Sequence, residues 1–192
     1  NHFEIKAIVS NRQFFLNKKK NISKNIIKIL NNSKSENKIF KAIKQKKINL
    51  LLSVLHPLML SEKILKEISY NAFNLHNGDL PYYRGWNATG HAIINSEKYI
   101  STIIHKMVEN VDEGPVVLQK KIKINKDISA EDLYKKIINV ASLNFNNFLM
   151  KLIKNKITLS KNPTGGKFYK KNELELLKKL KIKLKKKQYK IV

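Results

Sequence analysis

Cysteine is absent from this chain of 192 residues. That excludes a disulfide framework, a cysteine-ligated metal and a thiol nucleophile, and it fits a reducing, cytoplasmic setting. Arginine is nearly absent as well: Arg12 and Arg84 stand alone, and lysine supplies the rest of a formal charge of +25. A balance of this kind invites a nucleic-acid reading through counterion release. Bidentate recognition of phosphates and base edges, however, favours arginine. An excess of lysine, asparagine and isoleucine spread over the whole chain fits a compositional bias of the source genome better than a selected polyanion surface. No apolar run approaches the roughly 20 residues needed to cross a bilayer. The longest, Leu50 to Leu60, is interrupted by His56 and Pro57. The start, Asn1-His2-Phe3-Glu4, passes straight into strand-like residues with no basic-then-apolar leader pattern. Five histidines without cysteine or tight His/Asp/Glu spacing argue against a metal site.

What is present is an alternation of strand and helix signals. Phe3 to Ser10 reads as a strand, and Asn11 to Lys20 as a polar connection. Ile26, Ile27 and Leu30 over Ile22 to Leu30, and Ile39, Phe40 and Ile43 over Glu36 to Lys47, fall at helical spacing, so two short helices, or one helix and a variable loop, are expected. The apolar run Ile48 to Leu55 suits a central parallel strand covered on both faces. Ser61 is placed to cap a helix striped by Ile64, Leu65 and Ile68. A strand over Asn71 to His76 follows, then a helix from Asn87 to Asn95 and strands at Tyr99 to Val108 and Pro115 to Ile124. The short link between those last two implies antiparallel neighbours. Ser129-Ala130-Glu131-Asp132 opens a long helix with Leu133, Ile137, Ala141, Phe145, Phe148 and Leu152 on one side. This pattern predicts a three-layer α/β domain. It occupies residues 1–155, and residues 156–192 read as a lysine-rich extension with a helix over Asn172 to Lys186.

The chemistry-bearing stretch is Asn74-Leu75-His76-Asn77-Gly78-Asp79-Leu80-Pro81-Tyr82-Tyr83-Arg84-Gly85, answered later by Glu109-Asn110-Val111-Asp112-Glu113-Gly114-Pro115. Asn74 and His76 are two apart on a strand and leave the same face, at the kind of strand end where open α/β sheets place their chemistry. An amide donor and an imidazole held by an aspartate suit a reaction in which an amine attacks a carbonyl and an oxyanion develops. Taken singly, each has an ordinary structural reading: Asn74 as a turn cap, His76 as a satisfied strand-end histidine, Asp112 as a turn residue.

Three blocks in order give the stretch a resemblance. Asn74-x-His76-x-x-x-Leu80-Pro81-x-x-Arg84-Gly85, then Thr102-Ile103-Ile104-His105-x-Met107, then Val111-Asp112-Glu113-Gly114-Pro115-Val116-Val117-x-Gln119 resembles the catalytic domain of the 10-formyltetrahydrofolate-dependent formyltransferases. The likeness implies a Rossmann-like fold with a mostly parallel sheet. Members of the family open with a further strand and a glycine-bearing loop, so an N-terminally incomplete fragment is the favoured expectation. It also implies Asn74, His76 and Asp112 as the catalytic triad. Asn74 and a charged His76 would donate to the formyl oxygen, and Asp112 would raise the histidine pKa and help remove the amine proton. The folate cosubstrate would lie beside Leu55, His56, Leu58, Val108, Asn110 and Val111. Arg84 is expected to pair with an anion, and Tyr82 and Trp86 either line an acceptor site or pack the loop. Gly78 and Asp79 depart from the serine and apolar residue usual there. His105 is expected in a core or edge role, and His91 in a structural or exposed one.

The leading expectation is formyl transfer to a primary amine on a nucleotide-linked amino sugar. Methionyl-tRNA and glycinamide ribonucleotide acceptors, a hydrolase releasing formate, a non-catalytic basic nucleic-acid-binding module and a homodimer stay open. No membrane association is expected.

Overall fold

A computed structural model describes residues 3–10, 26–32, 35–55, 59–161 and 163–173. In chain order the strands are β1 (Ala7–Ser10), β2 (Ile27–Leu30), β3 (Leu51–Val54), β4 (Ala72–Asn77), β5 (Arg84–Gly85), β6 (Tyr99–Lys106), β7 (Val116–Lys123) and β8 (Phe168–Tyr169). The helices are α1 (Ser35–Lys46), α2 (Glu62–Glu67), α3 (Ala88–Ile94) and α4 (Ala130–Ile153). The central sheet runs β3-β4-β6-β7, and β1-β2 and β5-β8 are two-stranded pairs. Three of the five pairings among the described residues are parallel, and β4-β6 and β6-β7 are antiparallel.

Side chains on β4 alternate between two apolar layers, as a period of two requires. Ala72 packs with Ile39, Ala42 and Ile43 of α1 and Ile64 and Leu65 of α2. Phe73 and Leu75 face the other way, onto Ala141 and Phe148 of α4. Helices therefore cover both faces of the strand that carries Asn74 and His76. The stripe expected on α4 is the one buried: Leu133, Ile137 and Phe148 are fully enclosed. Ser129 caps that helix, its hydroxyl accepting from the Asp132 N–H at 3.0 Å. Ser61 occupies the N-cap position of α2 without a side-chain cap bond.

Two elements differ from the sequence reading. Residues Ile27–Leu30 form a strand, not the end of a helix. Three apolar residues at 26, 27 and 30 suit one helical turn, but Ile27 and Ile29 also alternate, and short apolar runs do not distinguish the two periods. Parallel pairing with β1 and burial of Ile29 against α1 decide it. The strand within Ile48 to Leu55 pairs only with β4 among the described residues, so it lies at the margin of its sheet, with Val54 52% and Leu55 41% exposed. Residues 22–25, the connection over 11–20 and the C-terminal helix from residue 174 onward lie outside the described residues.

No helix among the described residues is long and apolar enough to cross a membrane. Because Phe148 is fully buried with its ring 5.0 Å from that of Phe73, Phe148→Ala should cost about 3–5 kcal/mol. Leu143→Ala, on the exposed side of the same helix, should cost no more than about 0.5 kcal/mol. Urea unfolding midpoints of the two variants check this, and equal losses would contradict the packing.

Candidate active site

The site assembles on one face of the β4-β6 pair. Antiparallel register sets Asn74 directly opposite His105 and His76 opposite Ile103, so Asn74, His76 and His105 project to the same side. The connection from β6 to β7 then folds back over that face. Its first N–H, Met107, donates to the Ala72 carbonyl at 2.8 Å, and the Lys106 N–H reaches the Pro115 carbonyl at 2.9 Å. Gly114 permits this closure, since a Cβ there would fall 1.7 Å from the Lys106 carbonyl oxygen. The connection brings Asp112 into the face.

Asp112 is 7% exposed and surrounded by donors. The Asn74 amide donates to Oδ1 at 3.3 Å and the Gly85 N–H to Oδ2 at 2.9 Å. His105 Nε2 lies 3.2 Å from Oδ1, and His76 Nδ1 lies 3.4 Å from Oδ2. Burial pushes the carboxyl upward, but His76, His105 and the Gly85 N–H outweigh burial and hold it well below the usual carboxylate range. Asp112 is thus a fixed negative charge and a weak base.

His76 is enclosed between two acceptors. Nδ1 faces the carboxylate, and Nε2 donates to the Tyr83 carbonyl at 2.7 Å. Only the doubly protonated ring satisfies both. Burial nevertheless pushes the imidazole below its ordinary value, against the opposing pull of Asp112 and the Tyr83 carbonyl. Asp112 does pull the value upward as expected, but the net direction is downward because burial outweighs that pull. A fully enclosed ring loses more by desolvation than one carboxylate restores.

The remaining predicted residues fall in different places. Leu55 follows β3, its N–H donating to the Leu75 carbonyl at 3.4 Å, which puts it beside His76 in the neighbouring strand. His56 and Leu58 lie outside the described residues. Val108 and Val111 are half-buried and Asn110 is exposed, its amide donating to Glu113 at 2.9 Å. Arg84 finds its anion within the chain, pairing with Glu113. Tyr82 is 66% exposed, and Trp86 is half-buried with the Lys171 ammonium 5.2 Å from its ring. His91 is buried and stacks on Tyr169 at 3.8 Å, a structural role. Among the described residues no group of three or more His, Cys, Asp or Glu is placed to hold a metal ion.

His105 takes the buried position expected of it and also faces Asp112. It is 2% exposed, its Nδ1 donates to the Lys106 carbonyl at 3.0 Å, and Nε2 touches both Asp112 and the Asn74 amide. The signal was available: an antiparallel link between β6 and β7 returns Asp112 over the strand that carries His105. Gly78 was also undervalued. A Cβ there would lie 2.7 Å from His76 Nε2, from the Tyr83 carbonyl oxygen and from Ala88, so the usual serine has no room while Tyr83 holds His76.

The α/β layering and this cluster of a carboxamide, two imidazoles and a carboxylate define the class. Residues 5–149 match the Formyl transferase family, and the chain belongs to that family. It is 35% identical over 111 residues to the bifunctional polymyxin resistance protein ArnA of Wigglesworthia glossinidia brevipalpis, covering 58% of this chain and 17% of that protein. It is 32% identical over 121 residues to the methionyl-tRNA formyltransferase of Kosmotoga olearia, covering 63% and 39% respectively. The chain thus spans less than half the length of either relative. Among solved structures, a 4-N formyltransferase from Francisella tularensis superposes with a TM-score of 0.71 at 22% identity, covering 92% of this chain and 80% of that one. The formyltransferase PseJ of Anoxybacillus kamchatkensis, solved with a UDP-linked formamido sugar and tetrahydrofolate, gives 0.71 at 15% identity over 92% of each chain. Both likenesses establish the fold.

Unfolding returns both His76 and Asp112 to ordinary values. Since each is lower in the folded state, the unfolded chain binds more protons as pH falls, and stability drops. The loss should begin below about pH 6.5 from His76 and deepen below about pH 3.9 from Asp112. In thermal unfolding between pH 7 and 3, the deeper limb should be missing from Asp112→Asn. Parallel curves for the two proteins would contradict the assignment.

Proposed function

We propose that this chain carries the catalytic site of a formyltransferase that moves the formyl group of 10-formyltetrahydrofolate to a primary amine, on a nucleotide-linked amino sugar. The observation that carries the reading is the convergence of Asn74, His76 and Asp112 on one sheet face. Family membership supports the reaction class. The sugar acceptor is supported by neighbours of the same fold, a sugar N-formyltransferase from Shewanella and the PseJ enzyme solved with a UDP-linked formamido sugar.

In this reading the amine nitrogen attacks the formyl carbon, a C–N bond forms, and the carbonyl electrons move onto oxygen. The Asn74 amide nitrogen contacts both Asp112 Oδ1 and His105 Nε2, and turning one of its two hydrogens from His105 to that oxygen supplies the first donor. His76 Nε2 supplies the second donor when the formyl oxygen replaces the Tyr83 carbonyl as its acceptor. The downward push of burial on His76 makes its protonated form a stronger acid, suited to a developing oxyanion. The weak basicity of Asp112 assigns it to holding the imidazolium, with the amine proton leaving through water. Collapse of the tetrahedral adduct breaks the bond to the folate nitrogen, which takes up through water the proton the amine lost, and releases tetrahydrofolate. The exposed apolar side chains of Val54 and Leu55 beside the strand end suit a flat pterin ring.

A methionyl-tRNA acceptor is the second reading, favoured by the 32% identity to such an enzyme. The experiment offers 10-formyltetrahydrofolate with a nucleotide-linked amino sugar, methionyl-tRNA or glycinamide ribonucleotide to the complete protein carrying this chain. Tetrahydrofolate and formylated product should appear together with the sugar. Free formate without formylated product would instead make it a hydrolase. Asn74→Ala should lower kcat by about 10²–10³ with folate binding largely retained; full activity in Asn74→Ala or His76→Ala would remove the assignment.

A further inference from the structure

We propose that the short strand β8, anchored by Gly166 and Tyr169, is a positioning element of the active site: it clamps residues 83–86 where they reach His76 and Asp112. The inference rests on the reading of that site given above. Residues 83–85 carry two of its contacts, since the Tyr83 carbonyl accepts from His76 Nε2 at 2.7 Å and the Gly85 N–H donates to Asp112 at 2.9 Å. Those residues belong to a loop and have no place in the central sheet. What holds them is the C-terminal segment. The Arg84 N–H donates to the Lys167 carbonyl at 3.1 Å and the Trp86 N–H to the Tyr169 carbonyl at 2.9 Å, which brackets Gly85 on both sides.

Side chains reinforce the pairing. The Tyr169 ring is buried, 5.6 Å from Tyr83 and near parallel to it, and 3.8 Å from His91. Asn95 donates to both tyrosine hydroxyls, at 2.9 and 3.3 Å. The approach is close enough to dictate glycine at two points. A Cβ on Gly85 would fall 2.5 Å from the Tyr169 carbonyl oxygen, and one on Gly166 would fall 2.2 Å from the Pro81 carbonyl oxygen. Gly85 therefore serves β8 with its open face and Asp112 with its N–H. A chain cut at the compositional boundary near residue 155 would keep every triad side chain and lose their alignment.

A matched pair of substitutions tests this. Gly165 and Gly166 both have positive φ, 77° and 70°, yet a Cβ at 165 meets nothing within 4 Å. Both Ala variants carry a similar backbone strain, and only Gly166→Ala drives the segment off Pro81. By NMR, the Gly85 amide should exchange about tenfold faster or more in Gly166→Ala than in Gly165→Ala, as local opening requires, with the Ile103 amide unchanged. The His76 titration should move toward the ordinary histidine value. Turnover should fall by up to about a hundredfold in kcat with little change in KM for the folate. Tyr169→Ala should behave like Gly166→Ala, and Tyr169→Phe, which keeps the stack, should restore the native behaviour. Should Tyr169→Ala fail to fold, the exposed Gly166 still gives the answer. Matching Gly85 exchange and His76 titration in the two glycine variants would overturn the clamp whatever the turnover. Absence of formyl transfer by the unsubstituted protein would overturn the site reading, and the exchange comparison would still decide the clamp.

Discussion

A carboxylate removed from water is costly unless donors replace its hydration, and the arrangement around Asp112 answers that cost. Asn74, His76, His105 and the Gly85 N–H, drawn from β4, β6 and the short β5, all converge on its two oxygens. Each brings a separate part of the chain to a fixed place. Antiparallel register puts Asn74 beside His105, Gly114 lets the second connection close against Lys106, and the first connection turns Gly85 inward. Removing the carboxylate would take a shared acceptor from the Asn74 amide and the Gly85 N–H and the neighbouring charge from both imidazoles, so the charge organises the site as much as the site stabilises the charge.

The same constraint shapes the reactivity. Depressing the Asp112 carboxyl makes it a poor proton acceptor and a good electrostatic anchor. His76 is caught between that anchor and burial, and the result is an imidazole whose protonated form is held in place yet acidic. The Tyr83 carbonyl occupies its Nε2. That hydrogen bond lowers the cost of keeping a polar ring nitrogen buried.

Much of this was legible in order along the chain. The period-two placement of Asn74 and His76, the apolar stripe from Leu133 to Leu152 and the Ser129 cap each express local rules that tertiary context did not override. The segment before Leu30 was misjudged because four residues of mixed period carry too little pattern, and only the neighbour in the sheet resolves them. His105 was undervalued because its importance is a matter of register: one residue of slip would send it to the opposite face. His76 was assigned the wrong direction of shift because enclosure, unlike a neighbouring charge, is invisible in a motif.

What the sequence by itself determined is the layering and the identity of the side chains that meet at Asp112, since hydrophobic period and residue type are properties of short stretches. The tertiary structure alone decided how those groups are charged and held. Desolvation, cross-strand register and the docking of β8 onto Arg84 and Gly85 depend on residues far apart in the chain, and a linear pattern does not encode how closely such residues approach.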